Sequence, residues 1–204
     1  MSDGTGGLER GGPSESLPSD QESVDDRLAN SRDRDVAVEG LFFAWYPRLV
    51  RTAFGLVGDW ALAEQLVQDA FLRLWRRWGW LRDPQAAPAY LHRTVVNLGR
   101  AAVRRRVSER RALVRGGFDQ LDDSPQSADE PHVAVVLRQA IETLPYRKRA
   151  CVVLRYLAGL SEAETADALG VSVGTVKSQT HKALRLLREW LDEPAEIAPG
   201  GERG

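Results

Sequence analysis

Six side chains near the carboxyl end of the chain have the types and spacing needed to form hydrogen bonds with the edges of DNA bases. Between residues 173 and 191, Val176, Ala183, Leu187 and Leu191 mark the buried side of a predicted helix. The opposite side carries donors and cations of the size that enters a major groove, where Lys binds guanine and Ser or Thr binds several bases. An ordinary solvated helix face is the competing interpretation. The outward set consists of Thr175, Lys177, Ser178, His181, Lys182 and Arg185.

The residues before this helix favour the DNA-binding interpretation. Ser161 and Glu164 have the spacing of a capping box, which predicts that a helix begins after Ser161. Gly170 suits the left-handed end of that helix, and Ser172 can cap the next one. Two helices joined by so short a turn are typical of a helix-turn-helix. Four preceding cations are expected to contact DNA phosphates, which adds affinity without sequence information: Arg147, Lys148, Arg149 and Arg155.

A second basic segment lies between residues 89 and 106 and has aromatic neighbours, Trp80 and Tyr90. Basic residues interleaved with aromatic rings suit single-stranded nucleic acid, because rings stack on unpaired bases and cations hold the backbone. Asn97 could bind the edge of a base that has left the duplex. The alternative is that the arginines form a solvated helix end and that the rings belong to the core.

The predicted helix at 61–78 has two faces of different chemistry. One is an apolar stripe that is most simply core, and it contains Leu62, Leu66, Val67, Ala70, Phe71, Leu74, Trp75 and Trp78. The opposite face places one leucine among polar groups, which suggests a protein contact. That face consists of Gln65, Gln68, Asp69, Leu72 and Arg76.

The elements that must position these residues are all predicted to be helical, so the expected fold class is all-α. Periodic apolar residues predict helices at 41–57, 61–78, 89–106, 133–143, 147–157, 162–169 and 173–191. They group into two small helical domains, at 40–111 and 131–191. The remaining segments are predicted to be a disordered acidic arm at 1–39, an acidic linker at 112–130 and a flexible tail at 192–204.

The charge distribution supports a polyanionic partner although the 204-residue chain has a net charge of only −1. Residues 82–115 carry +7 and residues 131–188 carry +5, whereas the arm carries −6 and residues 116–130 carry −5. Two basic bodies set between acidic segments are expected when the folded modules face nucleic acid and the connecting segments do not.

Composition argues against several other classes. No apolar run reaches the roughly 18 to 20 residues that a bilayer span needs, and the start of the chain lacks a secretory pattern, so we expect a cytoplasmic protein without membrane insertion. The single cysteine, Cys151, and three scattered histidines predict neither an internal disulfide nor a metal site. We see no phosphate loop and no nucleophile with a base, so no enzyme activity and no cofactor are expected.

Three segments resemble one known family. Residues 63–76 (AEQLVQDAFLRLWR) resemble region 2.2 of bacterial sigma factors of the sigma-70 family, and residues 89–98 (AYLHRTVVNL) resemble regions 2.3 to 2.4. Residues 173–178 (VGTVKS) are similar to the start of the region 4.2 recognition helix. Three motifs in the family's order identify the chain as resembling an extracytoplasmic-function (ECF) sigma factor with regions 2 and 4 only.

The resemblance implies a subunit that directs core RNA polymerase to promoters and helps to melt them. It places the −35 element, as duplex, on the six outward residues of the helix-turn-helix. It places the β′ clamp helices on the face that begins at Gln65, the β flap as a further polymerase contact, and an anti-sigma factor as a possible partner class. It places the −10 element, as single strand, on Leu81, Tyr90, His92, Arg93, Asn97, Arg100 and Arg104.

A second hypothesis comes from a different class of protein. A self-contained helix-turn-helix repressor or activator, with an N-terminal module that binds a ligand or dimerises, would have a similar recognition helix. Neither the motif at 63–76 nor the basic, aromatic-rich helix is needed by such a module. Tight duplex binding without polymerase would favour this hypothesis.

Overall fold

The chain folds into helices throughout the part that the structure, a computed structural model, describes, namely residues 24–81, 83–115 and 132–192. No strand occurs within these ranges, and the all-α prediction is confirmed. None of the helices in the described ranges is both long and apolar enough to cross a bilayer. The seven α-helices are α1 (Val24–Val57), α2 (Trp60–Arg77), α3 (Ala87–Arg115), α4 (His132–Thr143), α5 (Tyr146–Val152), α6 (Glu162–Leu169) and α7 (Val173–Asp192).

Two helices extend beyond their predicted ends. The sequence predicts a disordered arm through Glu39, whereas α1 begins at Val24, so the prediction is wrong for residues 24–39. Val38 is 8% exposed and packs in the core. The polar composition of the segment does not indicate this contact, so the predicted boundary was placed too late in the chain. Helix α3 runs on to Arg115, into the predicted linker. The rest of the predicted arm, linker and tail lies outside the described residues.

Helices α1 to α3, which we call the N-terminal module, pack around one apolar core. Leu49 and Leu56 from α1, Leu74 from α2, and Leu91 and Val95 from α3 are all fully buried. Their three- and four-residue spacing gives each helix one apolar side, and burying these sides against one another holds the helices together.

Helices α4 to α7, which we call the C-terminal module, have a smaller apolar cluster of their own. It is formed by Ala140, Leu144, Val152, Ala183 and Leu187. Helix α5 continues into one turn of π-helix, Val153–Leu157, in which the Ala158 amide donates to the Val153 carbonyl at 2.9 Å.

The two modules also pack against each other. Helix α6 lies on α3, and α5 with its π-turn lies on α1. Ala150, Val153, Leu154 and Ala168 of the C-terminal module are buried in the same apolar cluster as the side chains of the N-terminal module. The sequence predicts two domains joined by a linker, and the described residues place these two bodies in direct contact.

Candidate nucleic-acid and polymerase interfaces

The helix-turn-helix is built by local hydrogen bonds that the sequence predicts. At the start of α6, the Glu164 amide donates to Ser161 Oγ at 3.2 Å, and the Ser161 amide donates to Glu164 Oε2 at 2.7 Å. Both halves of the capping box are therefore present. These hydrogen bonds to the carboxylate hold the pKa of Glu164 below its ordinary value, so Glu164 serves the cap as an anion.

The turn between α6 and α7 is equally well defined. Gly170 has φ 65° and ψ 43°, a left-handed conformation that favours glycine. The Gly170 amide donates to the Asp167 carbonyl and the Val171 amide donates to the Ala166 carbonyl, as in a Schellman motif. Two residues later, the Thr175 amide donates to Ser172 Oγ at 3.1 Å and starts α7.

Helix α7 presents its polar side to solvent because its apolar side is used for packing. Val176, Ala183 and Leu187 are buried, as the sequence predicts, whereas Leu191, predicted on the same side, is 52% exposed near the end of the helix. Of the six residues proposed to contact DNA, five are exposed and Thr175 is half-buried. Thr175 has its hydroxyl 2.9 Å from Ser172 Oγ, so part of its hydrogen-bonding capacity is taken by the helix cap. The exposed five are Lys177, Ser178, His181, Lys182 and Arg185.

Two cations of α7 form ion pairs on the surface. Lys177 Nζ lies 3.5 Å from Glu162 Oε2 in the first turn of α6, and Arg185 Nε lies 3.5 Å from Glu189 Oε1 one turn along α7. Exposed pairs of this kind contribute only about 0 to 1 kcal/mol. A DNA base or phosphate can therefore replace the carboxylates at little cost.

The arginines before the helix-turn-helix behave differently from the prediction. Arg149 lies in a half-buried position, where it donates to the carbonyls of Leu56 at 3.0 Å and Glu142 at 2.5 Å. Arg155 donates to the Leu160 carbonyl at the end of the π-turn. For Arg149 the expected phosphate contact is wrong, because backbone carbonyls already occupy both of its terminal nitrogens. Arg155 is half-buried and uses one terminal nitrogen in this way, so its phosphate contact stays a prediction. Arg147 is exposed and Lys148 is half-buried.

The proposed −10 residues, on α3 and at Leu81 before it, have three levels of exposure. Arg93, Asn97 and Arg104 are exposed and lie at spacings of four and seven residues, so they share one side of the helix. Leu81, Tyr90 and Arg100 are half-buried. His92 is buried, at 4% exposure.

His92 packs against Trp45 of α1 and is influenced by Glu164 of α6 instead of facing solvent. Its ring meets the Trp45 ring edge to face at 5.9 Å, and neither ring nitrogen has a hydrogen-bond partner among the described residues. Burial lowers the pKa of His92, partly offset by the carboxylate of Glu164 on α6. A DNA contact through His92 is therefore excluded while the two modules are packed together.

The aromatic residues near α3 separate clearly into exposed and packed rings. Trp80, in the short 3-10 turn Trp78–Trp80, is 86% exposed, which favours a contact surface over a core position. Tyr90 packs against the N-terminal core. The sequence left these two rings open between stacking on bases and packing in the core.

On α2, all five residues of the proposed polymerase face lie together at helical spacing. Leu72 is 53% exposed, and Gln65, Gln68 and Arg76 are exposed as well, while Asp69 is half-buried. An exposed leucine ringed by polar groups is the pattern of a protein contact. The helix is anchored by the buried opposite side, from Ala63 to Leu74.

Trp75, predicted to be core, is instead 39% exposed at the edge of this face. Its indole Nε1 donates to Asp35 Oδ1 at 2.7 Å, and the Arg34 guanidinium lies over its ring at 4.0 Å. The hydrogen bond from Trp75, with a second from Arg34, lowers the pKa of Asp35. Sequence reasoning missed this contact because both partners lie 40 residues away, in a segment whose polar composition favoured disorder.

The described ranges contain no cluster of three or more His, Cys, Asp or Glu that could hold a metal ion. Cys151 is buried, and burial raises the pKa of its thiol, as expected for a small packed side chain.

Known proteins of one family match both modules of the chain. The family model for Sigma-70 region 2 matches residues 41–109, and the model for Sigma-70, region 4 matches residues 134–187. The RNA polymerase sigma-E factor of Streptomyces antibioticus is 39% identical over 146 residues, which cover 71% of this chain and 78% of that protein. The ECF RNA polymerase sigma factor SigL of Mycobacterium tuberculosis is 36% identical over 150 residues, covering 71% and 83%.

Solved structures share the fold. The sigma factor RpoE of Bartonella quintana, in complex with the anti-sigma factor NepR, superposes with a TM-score of 0.62 at 22% identity, covering 76% of this chain and 97% of that one. CnrH, in complex with the cytosolic domain of CnrY, gives a TM-score of 0.58 at 23% identity, covering 82% and 99%. With both family models matched in order and relatives above 30% identity, the chain belongs to the sigma-70 family, in the ECF group with regions 2 and 4, and is a non-catalytic specificity subunit of RNA polymerase.

Proposed function

We propose that this sigma factor binds core RNA polymerase through α2, reads the −35 duplex through α7 and captures melted −10 DNA through α3. The observation that carries the proposal is the exposure of three separate polar faces, on α7, α3 and α2, while the remaining sides of these helices are buried. Each face has the chemistry that its proposed partner requires.

At the −35 element, the exposed side of α7 enters the major groove. Lys177 and Lys182 can bind the acceptor atoms of guanine, and Ser178 can bind either strand's base edges. Arg185, farther along the helix, is placed to contact phosphate. Helix α6 crosses the DNA backbone, as the first helix of such a unit does.

At the −10 element, α3 and the turn before it bind single-stranded DNA. Asn97 is exposed and has both a donor and an acceptor, which suits the edge of a base flipped out of the stack. Trp80 offers an open ring on which an unpaired base can stack, and Arg93 and Arg104 neutralise the strand. Capturing unpaired bases favours the melted state of the promoter because it offsets part of the cost of unpairing.

At the polymerase, α2 provides an apolar contact with a polar rim. Leu72 forms the centre, and Gln68, Asp69 and Arg76 can form hydrogen bonds around it. We place the β′ clamp helices on this face and the β flap on the C-terminal module. An anti-sigma partner stays a prediction from the resemblance, and a cytoplasmic location stays a prediction from the composition of the chain.

Reconstitution with core RNA polymerase tests the proposal directly. The chain is mixed with core enzyme and fragmented genomic DNA, and the 5′ ends of the transcripts are mapped. We expect starts that share one pair of upstream elements at −35 and −10. Starts no different from those of core enzyme alone would overturn the proposal.

The proposed role of Asn97 is tested by Asn97→Ala. Loss of its base contacts, worth about 1 to 3 kcal/mol, is expected to reduce open-complex formation roughly tenfold or more while leaving −35 binding unchanged. Permanganate reactivity of unpaired thymines measures the melting. Glu109→Gln, an exposed substitution on the same helix, is the control, and equal melting by Asn97→Ala and wild type would contradict the assignment.

A further inference from the structure

Helix α1 begins well before the segment that the family model matches. The model for region 2 starts at residue 41, whereas α1 starts at Val24. We call residues 24–40 the α1 extension, and at about 1.5 Å per residue it adds about 25 Å of helix. Val38, near the end of the extension, is buried in the core and anchors it there. The extension lies outside the matched segment, so its contacts need an account of their own.

The α1 extension touches α2 through two neighbouring side chains. Asp35 Oδ1 accepts a hydrogen bond from Trp75 Nε1 at 2.7 Å, and the Arg34 guanidinium lies over the indole ring, 4.0 Å from its centroid. Arg34 Nε donates to the same carboxylate oxygen at 3.1 Å, so the two side chains also hold each other. The hydrogen bond fixes the edge of the ring while the cation covers one of its faces. Trp75 is therefore held in one orientation.

Trp75 borders the face of α2 that is proposed to bind polymerase. It follows Leu72 by three residues and Gln68 by seven, a spacing that puts these side chains on one side of the helix. The indole is partly exposed, although its neighbours Phe71 and Leu74 are buried. A tryptophan beside an exposed leucine is the type of residue that contributes most to binding between proteins. The ring thus extends the apolar centre of this face toward α1.

The contact does more for the orientation of the ring than for the stability of the fold. Asp35 is exposed to solvent, and a hydrogen bond at such a position contributes little to stability. The burial of Val38 and the edge-to-face contact of Phe42 with Phe71 at 5.0 Å already attach this part of α1 to the module. A ring that is fixed before binding loses less conformational entropy when a partner covers it. Arg34 and Asp35 therefore prepare Trp75 for a contact.

We propose that the α1 extension is part of the polymerase-binding surface, in which Arg34 and Asp35 are positioning residues that hold Trp75 ready to bind core RNA polymerase. Trp75 is then an aromatic anchor beside Leu72. The inference rests on the proposed function, because it assumes that the face on α2 binds polymerase. Since Asp35 acts through the indole, its effect on affinity depends on the hydrogen bond to Trp75 and not on its charge alone.

Two aspartates of the α1 extension supply matched variants. Asp35→Ala removes the acceptor of the indole hydrogen bond, whereas Asp33→Ala removes the same charge from an exposed position two residues away. Asp35→Asn loses the charge but keeps an oxygen that can accept from Trp75. The dissociation constant of the full chain and core RNA polymerase is measured for each variant. Urea denaturation checks that every variant is fully folded under the conditions of the binding assay.

We expect Asp35→Ala to weaken binding to core RNA polymerase about fivefold to tenfold, because Trp75 must then be ordered when the complex forms. Asp33→Ala and Asp35→Asn should both stay within about twofold of the parent chain. An unchanged dissociation constant in Asp35→Ala, or an equal loss in Asp33→Ala, would overturn the proposal. A loss in Asp35→Asn as large as in Asp35→Ala would overturn it as well, since charge would then account for the effect.

A double-mutant cycle separates positioning from a direct contact of Asp35 with the polymerase. Trp75→Phe keeps an apolar ring but has no indole nitrogen, so Asp35→Ala should have no further effect on affinity in that background. In protein labelled with fluorotryptophan, the fluorine NMR signal of Trp75 is identified by its loss in Trp75→Phe. This signal should shift or broaden in Asp35→Ala and stay in place in Asp33→Ala. A full effect of Asp35→Ala on top of Trp75→Phe, or an unchanged signal, would contradict the positioning role.

Leu72→Ala distinguishes failure of this inference from failure of the proposed function. If Leu72→Ala weakens binding to core polymerase and Asp35→Ala does not, the face on α2 stands and the role of the α1 extension is refuted. If Leu72→Ala leaves the dissociation constant unchanged, the polymerase face itself is wrongly assigned, and the inference falls with it.

Discussion

Helices α5 and α7 belong to the same module and carry the same kind of charge, yet their cations have opposite surroundings. On α7, Lys177 and Lys182 are exposed and meet at most a surface carboxylate. On α5, Arg149 donates to carbonyls at the ends of two other segments. The difference teaches that a basic run predicts DNA contact only where no unpaired helix end is near, because a guanidinium binds whichever acceptor the fold brings to it.

Reversing charge on α7 should have the largest effect. Lys177→Glu with Lys182→Glu removes two proposed base contacts worth about 1 to 3 kcal/mol each, so −35 binding by the holoenzyme is expected to fall at least a hundredfold. Binding to core polymerase should be unchanged, which comigration measures. Arg147→Glu, an exposed reversal on α5, is the control, and it should weaken binding to all sequences alike. A double variant that initiates normally would refute the α7 assignment.

Removing Arg149 should chiefly affect folding. Arg149→Ala leaves the carbonyls of Leu56, Glu142 and Leu144 without these donors, and we expect a loss of about 3 kcal/mol in the free energy of unfolding. Urea denaturation measures it. Lys177→Ala is the matched comparison, since its exposed pair with Glu162 should contribute less than about 1 kcal/mol. Equal losses of unfolding free energy in the two variants would contradict the difference between the packed cation of α5 and the exposed cation of α7.

Loss of the α6 cap should have an intermediate effect on stability and almost none on DNA binding. Ser161→Ala removes the oxygen that accepts the Glu164 amide, which costs about 1 kcal/mol of unfolding free energy. Ser161 makes no proposed DNA contact. Under conditions where all of the protein is folded, the affinity for the −35 duplex should therefore stay within about twofold of that of the parent chain. Thermal denaturation and duplex binding, measured side by side, separate the two effects.

A pH dependence of modest size should arise from His92. Burial lowers its pKa below the ordinary 6.5, so the docked, folded chain holds it neutral. In the unfolded chain, the residue-92 imidazole takes up a proton below about pH 6.5. The free energy of unfolding of wild type minus that of His92→Gln should therefore fall as the pH is lowered from about 7 to 5. It should be constant above pH 7. A difference that grows on acidification would contradict the burial of a neutral ring.

The features predicted correctly from sequence are those held by local hydrogen bonds. Ser161, Gly170 and Ser172 each act within five residues of their own position, so their spacing alone fixes where α6 begins and ends and where α7 begins. Most of the apolar sides of α2 and α7 were likewise predictable, because burial follows helical periodicity, although Trp75 and Leu191 are exposed. Caps and helical periodicity together predicted the helix-turn-helix and the outward set on α7.

The features that sequence reasoning missed are held across long separations. Trp75 and its partner Asp35 are 40 residues apart in the sequence, Tyr146 and Val96 are 50 apart, and Arg149 and Leu56 are 93 apart. No periodicity or cap signal connects such pairs, and two of the three acceptors are backbone carbonyls, which every sequence contains. The extension of α1 and the burial of His92 depend on the same long-range packing.

The sequence by itself therefore determined the helices, the turn of the DNA-binding unit and the family, since motifs and caps are properties of short segments. Only the tertiary structure decided which cations are available, because an arginine binds the acceptors that packing brings near. It also decided that the two modules share a core, where Gly55 and Gly99 leave room for the other module's side chains. The capped boundaries of α6 and α7 follow from contacts a few residues apart, whereas the extension of α1 and the contact between the modules follow from surfaces that meet only once the chain has folded.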